Sequence, residues 1–587
     1  MKKRGVDDFE KSKMPDKGSG FLTIPGWLMR GAIREDDHRN SNFIWPLTSC
    51  SINSPNPQYI GLTDRPTNHF FDPWTDAPLE TWFGVDLGER APQWGFGSVE
   101  PFHIPQQEAA VRDNHYTLFD AMEAMYRALT AHSSSGSRMI MPDGDGGTKE
   151  PSNAGEEEAV RKAYWATTFR ALGDAVHLIQ DMAQPQHTRN DAHSGVCGPW
   201  VQDRFTGHSS VYEAYIEARA IGGHFDIPGV GPLPAESLTY GGYPVPRFDD
   251  YASYFSTRHL DGSILTSWGL ADYSNRGFFS AGTNLGSNRY LYPSNNSSDY
   301  ATVNDSTDWL GGTLPDGASV TLLYGDVKDS MTGASDSAAL TTSGLWDQYL
   351  TDKGEQPRYT LTKTNYDDMA DLLIPRAVAY SAGFIDYFFR GRLDVISVDE
   401  EVDPQREILV SRIRIRNASA TGNTLWDGQL KFFYDGTDGL RKPMRILSSG
   451  GGQLDGDGLA PNEEMELLVE VPDDRGIPSD MTLVFKGTIG NEPGVAGRVF
   501  DNGPDVYVLD LENRNVYQFS STGQLRGIKS TTGNIGLSVY NDTIYSVQNG
   551  VTIPAVNDTS INDNEWYRSY VDYSGAWVDV TDHQGGF

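Results

Sequence analysis

The sequence predicts a multidomain protein. A mainly α-helical N-terminal domain with a loop-rich insertion is followed by an all-β region, made of a β-sandwich plus repeat-like strands. The chain has 587 residues, of which 38% are hydrophobic and 11% aromatic, which is enough for several cores. Ala159–Val176 places apolar side chains at helical spacing, whereas after Gly391 the pattern changes to alternation. This change of period indicates two regions of different class.

The N-terminal half divides by composition and by period. Residues 1–20 are charged and rich in Gly and Lys, which predicts a disordered start, and residues 21–395 carry the helical patterns. Inside this domain, residues 221–365 lack helical period and abound in Gly, Ser, Asn, Asp and Tyr. They predict a loop-rich insertion that shapes the mouth of a site or packs peripherally. Further helices are predicted at His115–Ala131, Val211–Ala220 and residues 366–393.

The C-terminal region reads as strands. Alternating apolar residues predict a β-sandwich across residues 400–490. The strands that carry this prediction are Ile408–Ile415, Gln429–Tyr434, Met465–Val471 and Met481–Gly487. Asp435–Gly439 reads as a hairpin turn between strands rather than as a calcium loop. Residues 497–587 form a β-rich tail, in which Asp505–Asp510 and Thr543–Val547 resemble propeller strands. A propeller needs at least about four blades, so the tail is a partial repeat, an extra set of strands or a truncated end.

Composition limits the partners. The chain has 80 Asp and Glu against 47 Lys and Arg, a net charge of −33. Such a field repels a polyphosphate backbone, so we expect no stable nucleic-acid partner. Acidity also serves solubility or suits a saline habitat. The two cysteines, Cys50 and Cys197, form one disulfide in an oxidising compartment or stay free.

The stretch HLIQDMAQPQH is the most informative part of the chain. Its His177 and Asp181 are four residues apart, so on a helix they lie on one face. Pro185 cannot continue that helix and biases Gln184 away from helical geometry, so the chain turns and His187 approaches the same cavity. Imidazole nitrogens and a carboxylate oxygen are ligands that zinc accepts. A His and an Asp at this spacing also form surface ion pairs or buried hydrogen bonds without any metal.

Four motifs extend this pattern along the N-terminal domain. They are GAIREDD at residues 31–37, NHFFDP at 68–73, His-x3-Asp-x3-Pro-x-His-x2-Asn from His177 to Asn190, and GHSSVYE at 207–213. Together they resemble, in the same order, the motifs of bacterial zinc-dependent phospholipases C of the alpha-toxin-like group. Residues 373–393 are similar to the last helix of that family. The resemblance covers about residues 20–395, with long stretches between the motifs left uncovered.

The resemblance implies a set of metal ligands. It assigns a first zinc to Asp36, His69, His177 and Asp181, and a second zinc to His187, His208 and Glu213. Asp37 is the rival of Asp36. His208 and Glu213 are five residues apart, a rotation of about 500° on a helix. His208 must therefore precede the helix that contains Glu213, and His193 is its rival.

The family's third zinc lacks its ligands here. An N-terminal tryptophan and a histidine of the first helix hold that ion in the family, whereas residues 1–30 of this chain contain no histidine. The resemblance thus implies two zinc ions, and a third only if the original N-terminal helix is missing. Because the family is exported, it also implies a secreted or periplasmic protein. No signal peptide is readable, and no apolar run is long enough to predict a membrane span.

The function that the resemblance implies is hydrolysis of a phosphodiester. Zinc-activated water attacks phosphorus, with Asp36 as both ligand and proton acceptor. The expected substrate is a phospholipid headgroup ester or another phosphodiester, with peripheral membrane contact. Two alternatives stay open. One is a single-strand nuclease or 3′-nucleotidase, since fungal zinc-dependent nucleases share this scaffold; the other is a degenerate, non-catalytic metal-binding adhesion protein.

Overall fold

The fold is described from a computed structural model of the full chain. The structure describes the following residues: 24–35, 65–80, 86, 88–97, 114, 116–143, 147–193, 210–213, 215–216, 239–240, 243–256, 269–280, 308–313, 319–355, 359–472, 480–501, 506–510, 515–519, 525–530, 537–540, 543–548, 551–554, 569–571 and 577–579. Two compact units divide the chain. Unit 1 comprises Met1–Ala124, Ala163–Phe388 and Trp566–Phe587, and unit 2 comprises Met125–Lys162 and Phe389–Glu565.

Helices dominate the described N-terminal half. They are α1 (Ile24–Arg34), α2 (Ala91–Phe96), α3 (Leu118–Thr130), α4 (Ala154–Asp181), α5 (Pro185–Thr188), α6 (Leu270–Gly277), α7 (Leu345–Asp352) and α8 (Lys363–Phe388). The helix predicted at Ala159–Val176 is therefore longer at both ends. It begins early because the side-chain carbonyl of Asn153 accepts the Glu156 N–H at 3.1 Å, which caps the first turn.

The predicted loop-rich insertion contains more regular structure than its composition suggests. Strands β5 (Asp308–Thr313), β6 (Ser319–Lys328) and β7 (Ser335–Ser343) form an antiparallel sheet in the order β5-β6-β7. Ahead of it lie the short strands β3 (Thr239–Tyr240) and β4 (Tyr243–Pro244), while β1 (Met141–Pro142) and β2 (Thr148–Lys149) pair near α4. Gly, Ser and Thr dilute the alternation in β5–β7, so the sequence pattern did not reveal the sheet.

Arg376 of α8 fastens this sheet inside unit 1. Its guanidinium lies 4.5 Å from the Tyr243 ring and 4.0 Å from the Tyr273 ring. The same group donates to Asp329 at 2.9 Å and to Asp336 at 2.8 Å. A buried arginine needs such partners because an uncompensated buried charge is strongly destabilising.

Unit 2 contains a β-sandwich built from two antiparallel sheets. The strands are β8 (Leu393–Asp403), β9 (Ile408–Asn417), β10 (Leu425–Asp435), β11 (Arg441–Met444), β12 (Gln453–Leu454), β13 (Glu464–Glu470), β14 (Asp480–Ile489) and β15 (Glu492–Asp501). One sheet has the order β13-β9-β8 and the other β11-β10-β14-β15, with β12 also paired to β10. Ile413, Phe432 and Phe485 belong to one buried cluster that both sheets share. Alternate residues of each strand thus supply the core.

The turn Asp435–Gly439 joins β10 to β11, as the sequence predicts for a hairpin. Asp435 pairs with Arg441 at 2.8 Å, and Asp438 pairs with Lys442 at 3.2 Å. Both carboxylates form ion pairs with cationic side chains of the same hairpin, so they stabilise the turn.

The tail continues as strands. It contains β16 (Val506–Asp510), β17 (Asn515–Phe519), β18 (Leu525–Ser530), β19 (Leu537–Tyr540), β20 (Thr543–Gln548), β21 (Val551–Pro554), β22 (Ser569–Val571) and β23 (Trp577–Asp579). They pair antiparallel as two three-stranded sheets and one two-stranded sheet. The predicted fold class, a helical N-terminal half followed by an all-β region, is confirmed. Among the described helices, none combines the length and the apolarity needed to cross a membrane.

Candidate metal centre

The C-terminal end of α4 carries the first group of converging side chains. His177 and Asp181 are one helical turn apart, and His177 Nε2 lies 3.2 Å from Asp181 Oδ2. His69 reaches the same oxygen from the segment after the 3-10 turn Arg65–Asn68, with Nδ1 at 3.0 Å. His69 is only 1% exposed. These three residues, named here the first triad, place their ligand atoms within 4.8 Å of one another.

A buried carboxylate supports His69 from behind. Glu35 is fully buried, and its Oε1 lies 3.6 Å from His69 Nε2. Trp94 Nε1 donates to the same Oε1 at 2.7 Å, and Arg65 pairs with Oε2. Arg65 also lies 3.4 Å from Asp174 of α4. The network fixes the Glu35 carboxylate beside the imidazole, an arrangement that orients metal-ligating histidines in many proteins.

Two glycines bring Glu35 to this position. A Cβ added at Gly31 would lie 2.0 Å from the Arg170 carbonyl oxygen, and one at Gly173 would lie 2.2 Å from the Leu28 carbonyl oxygen. Helices α1 and α4 therefore approach closely only because both positions lack a side chain. This contact explains the glycine of the GAIREDD motif, since Glu35 follows Gly31 by one turn.

The histidines tune the acidity of Asp181. Burial acts to raise the pKa of Asp181, but the neighbouring imidazoles of His177, His187 and His69 outweigh it and hold the pKa well below its ordinary value. The carboxylate is thereby kept ionised, which is the form that binds a cation.

Past α4 the chain turns as the proline predicts. Gln184 is extended, with φ −105° and ψ 113°, and Pro185 begins the short helix α5. His187 then points back, with Nδ1 3.5 Å from Asp181 Oδ2. Its ring stacks on Phe70 at 4.6 Å, which gives the phenylalanine of the NHFFDP motif a packing role. The positive φ of Asn190, 53°, suits an asparagine, and its side-chain carbonyl accepts the Glu80 N–H at 2.8 Å.

His187, His193 and Glu213 form a second group, named here the second triad. His187 Nε2 lies 3.1 Å from His193 Nε2, which lies 3.0 Å from Glu213 Oε1. His187 Nδ1 is 3.1 Å from the His69 carbonyl oxygen, and His193 Nδ1 is 2.8 Å from the Asp191 carbonyl oxygen. Because a carbonyl only accepts, each Nδ1 carries a hydrogen, and in the neutral ring Nε2 keeps its lone pair. Two lone pairs and a carboxylate oxygen then face one another, which favours a cation between them.

The pKa values within this triad follow from the same contacts. Burial acts to lower the pKa of His193, but the hydrogen bond to Glu213 raises it above the ordinary value. Burial acts to raise the pKa of Glu213, but its contacts with His193 lower it. The geometry thus attracts positive charge, whether as a proton or as a metal ion.

Three polar side chains frame the second triad without having stood out in the sequence. Gln184 donates to Glu213 Oε1 at 2.8 Å. Ser210 donates to Gln186 Oε1 at 2.6 Å, and its hydroxyl accepts the Glu213 N–H at 3.0 Å. The last contact caps the turn that contains Glu213. Both glutamines lie inside the HLIQDMAQPQH stretch, so their position was a usable signal.

Two of the three ligand-atom separations in each triad are close to those of a tetrahedral zinc site, and the third is at most 4.8 Å. With Zn–N distances near 2.05 Å, neighbouring ligand atoms of a tetrahedral site lie about 3.3 Å apart. The closest separations are 3.0 and 3.2 Å in the first triad and 3.0 and 3.1 Å in the second. Imidazole and carboxylate are also the donor types that zinc accepts.

The structure brings together five of the seven side chains singled out in the sequence, namely His69, His177, Asp181, His187 and Glu213. Asp36 and His208 lie outside the described residues, as do the rival Asp37 and both cysteines. His193, the rival of His208, is the histidine that contacts Glu213 among the described residues. Glu35 is the acid of the GAIREDD motif that the described structure places beside His69.

Comparisons with known proteins add little to this geometry. No protein-family model matches the chain, and no curated protein matches it. Alpha toxin from Clostridium absonum is 12% identical, and the alignment covers 91% of this chain and 98% of that one with a TM-score of 0.20. Alpha-toxin from an avian strain of Clostridium perfringens, SWCP, is 10% identical over 88% and 96% of the two chains, with a TM-score of 0.20. Because both scores are low, these similarities carry no argument about function.

Proposed function

We propose that this chain is a zinc-dependent phosphodiester hydrolase that cleaves a phospholipid headgroup in the manner of a phospholipase C. The observation that carries the proposal is the adjacency of two triads of zinc-type ligands, with His187 3.5 Å from Asp181 of the first triad and 3.1 Å from His193 of the second. Neighbouring metal sites of this kind suit in-line displacement at phosphorus.

Each side chain has a task in this scheme. His69, His177 and Asp181 would hold one zinc ion, and His187, His193 and Glu213 would hold the other. Zinc held there would supply Lewis acidity, which lowers the pKa of water to about 7 and neutralises phosphate oxygens. Asp36 directly follows Glu35 in the chain and keeps the proposed roles of ligand and proton acceptor. Glu35 orients His69, and the backbone carbonyls of His69 and Asp191 orient the other two imidazoles.

Glu213 is the one solvent-exposed member of the two triads, which indicates where substrate approaches. Its side chain is 52% exposed, whereas those of the other five ligands are 1% to 13% exposed. We therefore propose that the phosphodiester enters from the side of Glu213. The net charge of −33 disfavours a nucleic-acid backbone, and the NHFFDP motif resembles the phospholipase group. A secreted or periplasmic location, with peripheral membrane contact, belongs to this proposal.

The decisive experiment measures zinc and turnover together in wild-type protein and in His177→Ala. Elemental analysis gives zinc per chain, and a chromogenic phosphocholine ester and single-stranded DNA are offered side by side. We expect about two zinc ions per wild-type chain and hydrolysis of the ester in preference to DNA. His177→Ala should lose zinc from the first triad and all turnover while keeping the fold by circular dichroism.

His132→Ala is the matched control, because His132 is a buried histidine of unit 2 that contacts the Thr130 carbonyl oxygen. It should keep both zinc and turnover. Less than one zinc per wild-type chain would remove the basis for an enzyme. Preference for DNA would replace the phospholipase with a nuclease, and full zinc without any hydrolysis would favour a non-catalytic metal-binding protein.

A further inference from the structure

Helix α7 exposes its largest apolar side chains. Leu345 is 93% exposed, Trp346 72% and Tyr349 50%, and the first two are the most exposed large hydrophobic residues of the described chain. Trp346 and Tyr349 are three residues apart, with ring centroids 5.2 Å from each other. Leu345 precedes Tyr349 by four residues, so all three side chains lie on one face of the helix.

The opposite face of α7, which packs against the protein, carries Asp347 and Leu350. Asp347 is 5% exposed, and its carboxylate accepts the Gly344 N–H at 2.7 Å, which caps the first turn. Leu350 is half-buried. A surface helix ordinarily turns its largest apolar residues towards the core. In α7 the largest apolar residues face away from the core instead, although burying apolar surface is favourable.

The chemistry of the face indicates what covers it. Trp and Tyr combine an apolar ring with a polar group, and they prefer the boundary between lipid chains and headgroups. The exposed charges at the end of the helix, Asp352 and Lys353, balance each other, and Lys353 Nζ lies 5.6 Å from the Tyr349 ring. Helix α7 itself contains no lysine or arginine, and the chain carries a net charge of −33. These charges suit a zwitterionic surface and disfavour an anionic one.

We propose that Leu345, Trp346 and Tyr349 insert into the headgroup region of a zwitterionic phospholipid bilayer, with α7 lying in the plane of the interface. The inference rests on the proposed function, since a phospholipase must reach lipid that is packed in a membrane. It assigns the membrane contact to the insertion of unit 1, not to the β-sandwich. Interfacial helices of this kind bind through buried apolar area, and their affinity is strengthened by anionic lipid only when they are basic.

The test uses the full chain and large vesicles of pure phosphatidylcholine. Wild type, the triple variant L345S/W346S/Y349S and a control triple variant V402S/L409S/V499S are compared by co-sedimentation. The control residues are also exposed, at 63%, 38% and 45%, but they lie on sandwich strands of unit 2. We expect the α7 variant to lose at least about tenfold in vesicle binding, and the control to bind as wild type does. Vesicles with phosphatidylserine should bind wild type no better.

The outcome is separate from the fate of the proposed function. Vesicle binding does not require turnover, so it can be observed even in a protein that hydrolyses nothing, and the co-sedimentation is repeated in the His177→Ala background to exclude hydrolysis of the vesicles. If the chain is an enzyme, the α7 variant should keep wild-type turnover of a soluble ester and lose turnover of vesicle lipid. Equal vesicle binding by the α7 variant, loss in the control instead, or no binding by wild type would overturn the inference. So would sedimentation velocity showing that the same face joins two copies of the chain.

Discussion

The two triads contain similar ligands, but different structural elements hold those ligands in position. The first is built at the end of α4, a helix of 28 residues, and is braced by the buried Glu35. The second depends on the turn at Pro185, the loop around His193 and the partly exposed Glu213. The Nδ1 atoms of its two histidines contact backbone carbonyl oxygens, those of His69 and Asp191.

This difference has a consequence for metal binding. Ligands that a long helix and a buried carboxylate hold in place need little ordering when an ion binds, whereas an exposed glutamate must give up side-chain freedom. We therefore expect the first triad to hold zinc more tightly than the second. Three substitutions test the comparison, ranked by their expected effect on bound zinc.

Asp181→Asn should have the largest effect. The Asp181 carboxylate lies within 3.5 Å of three imidazoles, so its charge serves the first triad directly and the second through His187. Loss of a residue that only contacts a metal ligand weakens metal binding by up to about 100-fold. Asp181 is itself a proposed ligand, so removing its charge should weaken zinc binding by more than that and abolish turnover. Isothermal titration with zinc measures the loss. Two unchanged binding steps in this variant would contradict the role of Asp181 as a ligand of the first triad and a partner of His187.

His193→Gln should remove only the weaker zinc. His193 contributes its Nε2 to the second triad, whereas the first triad consists of His69, His177 and Asp181, so the tight binding step should persist and the weak one should disappear. The matched variant is His208→Gln, which should leave both steps in place. If instead His208→Gln removes the weak step and His193→Gln keeps it, His208 is the ligand that the resemblance implies.

Glu35→Gln should have the smallest effect on zinc and a separate effect on stability. The first triad should lose about 10- to 100-fold in zinc affinity, as when the carboxylate behind a ligating histidine is removed. Arg65 would also lose the nearer of its acidic partners, Glu35 and Asp174, so the free energy of unfolding should fall by up to about 3–5 kcal/mol. Titration calorimetry and chemical denaturation measure the two effects.

Glu157→Gln is the control for this substitution. Glu157 is 3% exposed and pairs with Arg138 in unit 2, so its loss should destabilise the protein without changing zinc affinity. If Glu35→Gln and wild type bind zinc with equal affinity, Glu35 contributes to stability and does not orient His69 for metal binding.

Much of the fold followed from period alone. The strand predicted at Ile408–Ile415 is β9, Ile408–Asn417, and the helix predicted at His115–Ala131 is α3, Leu118–Thr130. Strand β8, Leu393–Asp403, was missed because its acidic stretch breaks the apolar alternation. The sheet β5–β7 was missed for a similar reason, since small polar residues occupy its strands.

The parts of the candidate site that depend on the spacing of residues along the sequence were predictable. The four-residue interval of His177 and Asp181 and the breaking effect of Pro185 are local properties, and both appear in the geometry. The role of Glu35 is different, since it depends on Gly31 and Gly173 allowing two helices to touch. The proximity of His193 to Glu213, which are 20 residues apart, likewise depends on the path of the chain between them.

By itself the sequence determined the fold class, the presence of the long helices and of several sandwich strands, and the placing of His177 and Asp181 on one helical turn. These features depend on backbone geometry and on burial of a regular apolar face, which act over a few residues. Only the tertiary structure decided that His69 meets Asp181, that Glu35 stands behind His69, and that α7 turns its aromatic face outward. Contacts between distant residues depend on how whole elements pack, and no local pattern records which surfaces that packing leaves free.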